Sequence, residues 1–444
     1  MSSNCEIKTD FSWFENCHIY QLIIDRFAGT KKFYSYEDLR RNLLYGNIKS
    51  LITKLDYIKS LNFNMIWISP FFVNPPQGYH GYHVINFNHV DPRFAFGENP
   101  PDNNIGNVFD DNDLDLITKS DEVLIELIEE CHKRNIYIMM DMVPNHCNKN
   151  HPFFLEALKD KNSKYRNWFY FIDEDNYDNY NNNYNYNNYN KKEKYLMCIN
   201  YEDVPKLNLD FPDCGNYIIK VIKKYLKMGI NAVRIDHCIG PSISYLKRMT
   251  DEIHKEYPKV PIIGECLSLC NLQWKDTILS VSEEKLRKLN KFDINIFPDL
   301  DDQFLDYFNV LDGLLDFSFQ YIIDFFCNGD INEEKCRKMI FEHYERFKGK
   351  KFILIKNVDS HDCDRILFKC KNNFDIFWKV LNLLYEKFEG RNDPLVFYYG
   401  TEDFMSQDRS MKGEAYGDHR CRKPMQFIFE NFGKMKSFFD NQKK

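Results

Sequence analysis

An arginine and an aspartate stand two residues apart in the run GINAVRIDHC, residues 229–238. The apolar residues around them make the run a strand, and a spacing of two puts Arg234 and Asp236 on one face of it. A permanent cation at that distance would hold the carboxylate ionised and oriented, the state a carboxylate nucleophile needs. Glu265 ends a second apolar run, VPIIGEC (260–266). An apolar setting and nearby negative charge favour the protonated form of such a carboxyl, which suits a general acid.

Two further apolar runs end in the same way. One reaches Asp141 and continues to Asn145 and His146; the other ends in Ser360, His361 and Asp362. A single strand-end carboxylate is more often a helix cap than a catalyst. Four strands that bring carboxylates to the same end are a different matter, because like charges crowded together must be relieved by cations, hydrogen bonds or shifted pKa values. Neighbouring parallel strands lie about 4.8 Å apart. A nucleophile and an acid about 5 Å apart are the pair that glycoside hydrolysis with retention employs.

The elements that must position these groups alternate along the chain. Eight β-rich runs are CHIYQLIIDRF (17–27), MIWISP (65–70), IYIMMDMV (136–143), NAVRIDH (231–237), VPIIGEC (260–266), GLLDFSF (313–319), KFILIKNVDS (351–360) and PLVFYYG (394–400). Helical periodicity lies between most of them. Leu124, Leu127, Ile128 and Cys131 share one face of 121–134, and Ile218, Val221, Ile222 and Tyr225 share one face of 216–228. The strands are almost continuously apolar, as strands covered on both sides are. The expected fold is α/β, a (β/α)8 TIM barrel, with a doubly wound sheet as the rival. In a barrel the functional residues belong at the C-terminal strand ends, where the four carboxylates fall. The gap after the third strand is too long for one loop, so residues 146–213 form a protruding inserted subdomain, between barrel parts 1–145 and 214–444. The insert carries the tract NYDNYNNNYNYNNYN (176–190), which reads as an exposed loop.

Composition narrows the remaining classes. The 444 residues are 43% hydrophobic and 28% charged, with a net charge of −7. No basic surface is available for nucleic acid or anionic lipid, so neither is expected as a partner. The N-terminus lacks a basic start and an apolar stretch, and no run reaches the ~18 apolar residues of a membrane span. The 14 cysteines show no compact framework, so free thiols in a reducing, cytoplasmic compartment are expected. Cys266 and Cys270 read as ordinary buried thiols rather than metal ligands.

Taken as a set, DMVPNH (141–146), AVRIDH (232–237), GECL (264–267) and VDSHD (358–362) resemble the α-amylase family of glycoside hydrolases, family 13. IYQLIIDRF (19–27), IWISP (66–70), YHGYHV (79–84) and DPRF (91–94) extend the resemblance, which runs from about residue 17 to about 427. It implies that Asp236 is the nucleophile, Glu265 the general acid/base and Asp362 the third carboxylate, which bonds hydroxyls of the ring being cleaved. Arg234, His146 and His361 would line the same subsite. Tyr82 would be the stacking tyrosine with His80 beside it, and Asp141 a supporting aspartate. VPKLNLD (204–210), SHDCDRIL (360–367) and DHRCRKPM (418–425) are similar to the neopullulanase and cyclomaltodextrinase branch, which makes Arg365 a further substrate-binding match.

The resemblance implies no cofactor for the chemistry. Asn145 matches a calcium-ligand position of many members, so a structural calcium there is an expectation. The sequence departs at HCIG (237–240), where starch-liquefying members carry a Lys-His pair. The C-terminal β-sandwich and the N-terminal β-domain usual in that branch are expected to be absent, and the uncovered barrel could self-associate. The implied activity is hydrolysis of α-glucans such as maltooligosaccharides, cyclodextrins or starch fragments. The alternatives are a glucanotransferase or phosphorylase on the same scaffold and a non-catalytic glycan-binding relict. Trp274 is equally suited to touching substrate or to packing.

Overall fold

The computed structural model describes residues 9–29, 31, 35, 39, 42–172, 194–198, 203–267, 278–289, 294–412 and 417–442. The Asn/Tyr tract, Trp274 and Cys270 lie outside the described residues.

Eight parallel strands close into a barrel: β1 (His18–Leu22), β2 (Met65–Ile68), β3 (Tyr137–Met142), β4 (Ala232–Ile235), β5 (Ile262–Gly264), β6 (Gly313–Asp316), β7 (Ile353–Lys356) and β8 (Leu395–Tyr398). Each pairs with its neighbour in chain order, and β1 closes the ring against β8 through His18–Leu395 to Gln21–Tyr398. The expected barrel is the observed one, and each of the eight sequence runs contains one of its strands. Nearly every strand residue is buried, because the barrel interior fills one face and the helices cover the other.

Helices form where periodicity and caps agree. Lys119–Lys133 begins with a capping box between Thr118 and Asp121, and Leu124, Leu127, Ile128 and Cys131 are its buried face. Pro212–Met228 carries its proline in the first turn and ends at Gly229 in the left-handed region, at φ 113°. Ile218, Val221, Ile222 and Tyr225 are buried along it.

Small sheets surround the mouth. Phe72–Val73 pairs antiparallel with Asn86–Val90, and Phe171–Ile172 pairs antiparallel with Lys194–Tyr195 between β3 and β4. The bridge His146–Lys206 ties the stretch before β4 to the segment directly after β3, and Phe169–Leu207 links two parts of that stretch. None of the twelve described cysteines is in a disulfide. Among the described residues no helix is long and apolar enough to cross a membrane.

Candidate active site

Strand register sets the site. Asp141 on β3 lies opposite Arg234 on β4, and Arg234 lies opposite Ile263 on β5. One residue layer higher, the Asp236 amide donates to the Met142 carbonyl and the Glu265 amide to the Ile235 carbonyl. The ladders therefore continue just far enough to aim Asp141, Asp236 and Glu265 into the barrel mouth.

One guanidinium holds all three. Arg234 is 0% exposed. Its Nη1 donates to Asp141 Oδ1 at 2.6 Å and to Asp236 Oδ1 at 2.8 Å. Its Nη2 stands 2.6 Å from Glu265 Oε1, an ion pair without the alignment of a hydrogen bond. The planar fork of arginine allows this, where a lysine ammonium could not. The guanidinium also faces the Trp67 and Tyr82 rings, at 5.3 and 5.8 Å from their centroids.

His237 contributes through its backbone. It adopts φ 46°, in the left-handed region that a histidine seldom occupies. The bend aims its N–H at Glu265 Oε2, 2.9 Å away.

Asp362 belongs to the same network. Its Oδ2 is 2.8 Å from His361 Nε2, and its Oδ1 accepts from Arg422 Nη2 at 2.7 Å. Gln21 Nε2 lies 2.6 Å from His361 Nδ1. With Gln21 donating there, the imidazole proton sits on Nε2, facing Asp362. Tyr82 Oη donates to Asp141 Oδ2 at 2.8 Å and lies 2.7 Å from His361 Nε2, while the two rings stack at 5.3 Å. His80 stacks on Tyr82, and its Nδ1 accepts from the Tyr82 amide. Gly81, between them, has φ 87°, and a Cβ there would stand 1.9 Å from the Pro70 carbonyl oxygen. Only glycine fits that turn.

Burial and charge tune these groups. Burial pushes Asp141 up to about 7, against the pull of Arg234. Burial also raises Asp236 and Glu265. Arg234 opposes both shifts, while Asp236 and Asp362 add to the rise at Glu265. Asp362 goes the other way: burial would raise it, but His361 and Arg422 outweigh that and hold it well below the usual range. Burial lowers His146 to about 4 and His80 well below its ordinary value, so both are neutral imidazoles near pH 7. The three carboxyls around Arg234 are thus all raised and Asp362 is lowered, so the directions set Asp362 apart as the carboxylate held ionised.

The structure brings Asp141, Arg234, Asp236, Glu265, His361, Asp362, Tyr82 and His80 together. His146 borders them, with Nε2 3.2 Å from the Tyr82 carbonyl oxygen. Arg365 is a correction. Its guanidinium is 0% exposed, donates to the Tyr399 carbonyl at 2.7 Å and packs over the Tyr398 and Tyr399 rings. It braces the end of β8 through Nη1, while its Nε and Nη2 are buried without a hydrogen-bond partner on the protein.

Asn145 is a second correction. Its Oδ1 accepts from Lys206 Nζ at 2.6 Å, and the same ammonium donates to the Gly240 carbonyl at 2.9 Å. Burial lowers Lys206 to about 8, so it is charged at neutral pH. A cation of the chain's own occupies the Asn145 oxygen, the expected calcium ligand, and the donor set does not fit a metal. Among the described residues no cluster of three or more His, Cys, Asp or Glu could hold a metal ion.

Sequence reasoning passed over Gln21, Trp67, Lys206 and Arg422. Gln21 and Trp67 lie within apolar strands, although a polar residue inside such a strand is itself a signal. Arg422 lies in DHRCRKPM, and besides Asp362 it contacts the His361 carbonyl, Tyr79 Oη and Asp418.

The family model of the alpha-amylase catalytic domain matches residues 21–443. The chain belongs to the α-amylase family. Alpha-amylase 2 of Dictyoglomus thermophilum is 30% identical over 401 residues, 90% of this chain and 57% of that protein. An intracellular maltogenic amylase of Bacillus subtilis is 23% identical over 430 residues, 93% of this chain and 58% of that one. The chain therefore spans under two thirds of the length of these family members. In fold it is similar to a cyclic α-maltosyl-(1→6)-maltose hydrolase from Arthrobacter globiformis, at TM-score 0.71 and 17% identity over 98% of this chain and 83% of that one. A cyclomaltodextrinase gives TM-score 0.71 at 18% identity over 97% and 64%.

Proposed function

We propose that this α-amylase family member is a retaining α-glucan hydrolase. It would cleave α-1,4 glucosidic bonds of maltooligosaccharides, cyclodextrins or starch fragments, with α-1,6 bonds as the second linkage to test. The observation that carries the reading is the single Arg234 guanidinium in contact with both Asp236 and Glu265, with Asp362 wired to the same network through His361 and Tyr82.

Glu265, its proton affinity raised, gives its proton to the glycosidic oxygen. Asp236 attacks the anomeric carbon, the bond to that oxygen breaks, and a glycosyl ester forms. Glu265, now a carboxylate, takes a proton from water, which attacks the same carbon and releases Asp236. Asp362, held ionised, accepts hydrogen bonds from ring hydroxyls. Tyr82 supplies an aromatic face for the sugar. Names among the chain's relatives, neopullulanase and maltogenic amylase, support a short-glucan substrate.

Asp236→Asn is expected to abolish release of reducing sugar from maltooligosaccharides while the circular dichroism spectrum stays that of the parent. Parent-like turnover in that variant ends the proposal. Product sizing on cyclodextrin, pullulan, maltotriose and starch then ranks the substrates.

A further inference from the structure

Two thiols adjoin the strand ends that carry the nucleophile and the acid. Cys238 follows Asp236 by two residues and Cys266 follows Glu265 by one, and both are 0% exposed. Along the barrel β4 and β5 keep one register: Val233 with Ile262, Arg234 with Ile263, Ile235 with Gly264. Continued unchanged, it would set His237 against Cys266. His237 instead turns into the left-handed region, at φ 46°, and takes up one extra residue on the β4 side. The Cys238 amide then donates to the Glu265 carbonyl at 3.1 Å. Parallel ladders slant in this way: Val233, the partner of Ile262, donates to the Pro261 carbonyl. Cys238 is therefore the register partner of Cys266.

Their side chains meet as well. The two thiols are hydrogen-bonded to each other, and the Tyr307 hydroxyl bonds the Cys238 sulfur. Gly264 leaves the room, since a Cβ there would stand 2.8 Å from Cys238 Sγ. Neighbouring parallel strands lie about 4.8 Å apart, inside the roughly 4.4–6.8 Å between Cα atoms that a disulfide spans. Cys327 and Cys370 are another close pair, at 3.6 Å between sulfurs, but they lie at helix ends and neither is next to a catalytic carboxylate in the chain.

We propose that Cys238 and Cys266 are an oxidation site, at which hydrogen peroxide joins the two thiols in a disulfide and switches cleavage off. Cys266 sulfur attacks one peroxide oxygen, the O–O bond breaks, water leaves and a sulfenic acid remains. Cys238 sulfur attacks that sulfur, the S–O bond breaks and a second water leaves. Two thiols and one peroxide become one disulfide and two waters, with two electrons passing from sulfur to oxygen. Burial and the bond to Cys266 raise Cys238 well above its ordinary value, which suits the later, resolving step. The peroxide is uncharged and little larger than water, so burial hinders it less than a bulky oxidant. The disulfide draws the sulfurs to about 2 Å and pulls on the peptide units beside Asp236 and Glu265. A displacement of about 1 Å can cost about a hundredfold in rate. The effect on cleavage rests on the α-glucan reading above; the disulfide does not.

The test treats the reduced full-length protein with a small excess of hydrogen peroxide, alkylates the remaining thiols and maps the digest by mass spectrometry. A peptide linked through Cys238 and Cys266 is expected, with at least a tenfold loss of maltotetraose cleavage that dithiothreitol restores. Cys238→Ala and Cys266→Ala are each expected to cleave like the parent and to resist the peroxide, while Cys327→Ala is inactivated as the parent is. The mapping needs no variant, so it decides even where an alanine disturbs the fold. Absence of the linked peptide overturns the site, and so does a reversible loss that persists in Cys266→Ala. A linked peptide with undiminished cleavage overturns the switch. A reduced parent that cleaves no glucan overturns the α-glucan reading alone, and the linked peptide still decides the oxidation site.

Discussion

Arg234 is the residue on which the site's charges depend. Three carboxyl groups, from Asp141, Asp236 and Glu265, meet its two terminal nitrogens; Arg234 and Asp141 are fully buried, and Asp236 and Glu265 keep a small exposure toward the mouth. Removing a partner from a buried ion group leaves uncompensated charge, which costs about 3–5 kcal/mol. Arg234→Leu is therefore expected to lose about that much unfolding free energy in urea and to lose measurable glucan cleavage. Arg234→Lys is expected to recover stability only in part, because one ammonium cannot satisfy three separated carboxyls. Equal stability of Arg234→Leu and the parent would show that the cluster is neutralised by protonation instead. At this scale the sequence was readable where charge interrupts an apolar strand end, which is why Asp236, Glu265 and Asp362 stood out. It misled at Arg365, because a motif position fixes where a backbone lies and not which way a long side chain turns. It was silent on Lys206, whose partners Asn145 and Gly240 are brought to it only by the fold.

Between elements, the strands align the chemistry and buried polar pairs lock the helices onto them. His343, on the helix Glu333–Glu345, lies between Asp301 Oδ1 at 2.7 Å and Asp316 Oδ2 at 3.1 Å; Asp316 also caps the helix that follows β6 and accepts from Tyr344 Oη. Burial works against a proton on this imidazole, but the two carboxylates outweigh it and raise His343 to about 10. Its ordinary value, about 6.5, applies in the unfolded chain. The folded value is the higher one, so the proton stabilises the fold fully below about pH 6.5, and that contribution fades as pH rises through about 10. Urea unfolding at pH 6 and pH 9.5 should show the parent losing stability over this interval relative to His343→Gln, whose difference stays flat. A parent without that slope would mean the imidazole is neutral in the fold. The strands and the two long amphipathic helices were legible because their apolar periodicity is uninterrupted. The three-body lock of His343 was not, since its members come from separate helices and a strand end.

For the whole molecule, closure of the ring is the decisive event, and it joins the first strand to the last. The helix Phe429–Asn441 lies over that seam. Phe439 is 2% exposed and meets Phe63 and Phe397 at ring distances of 5.3 and 5.2 Å, with Met435 buried beside it. Phe439→Ala is expected to cost about 3–5 kcal/mol and to lower the urea midpoint without separating the transitions of near- and far-ultraviolet circular dichroism. Two separated transitions would mean that the helix melts independently and contributes nothing to closure.

Lys206 gives the segment between β3 and β4 a fastening made of chain rather than of solute. At Asn145 the ammonium takes the oxygen that a divalent ion would otherwise seek. Alkali does not undo it: after losing its proton near pH 8, the amine still has two N–H bonds, one for Asn145 and one for Gly240. What alkali does change is the field beside the mouth, which becomes more negative by one charge while the attachment itself stays in place.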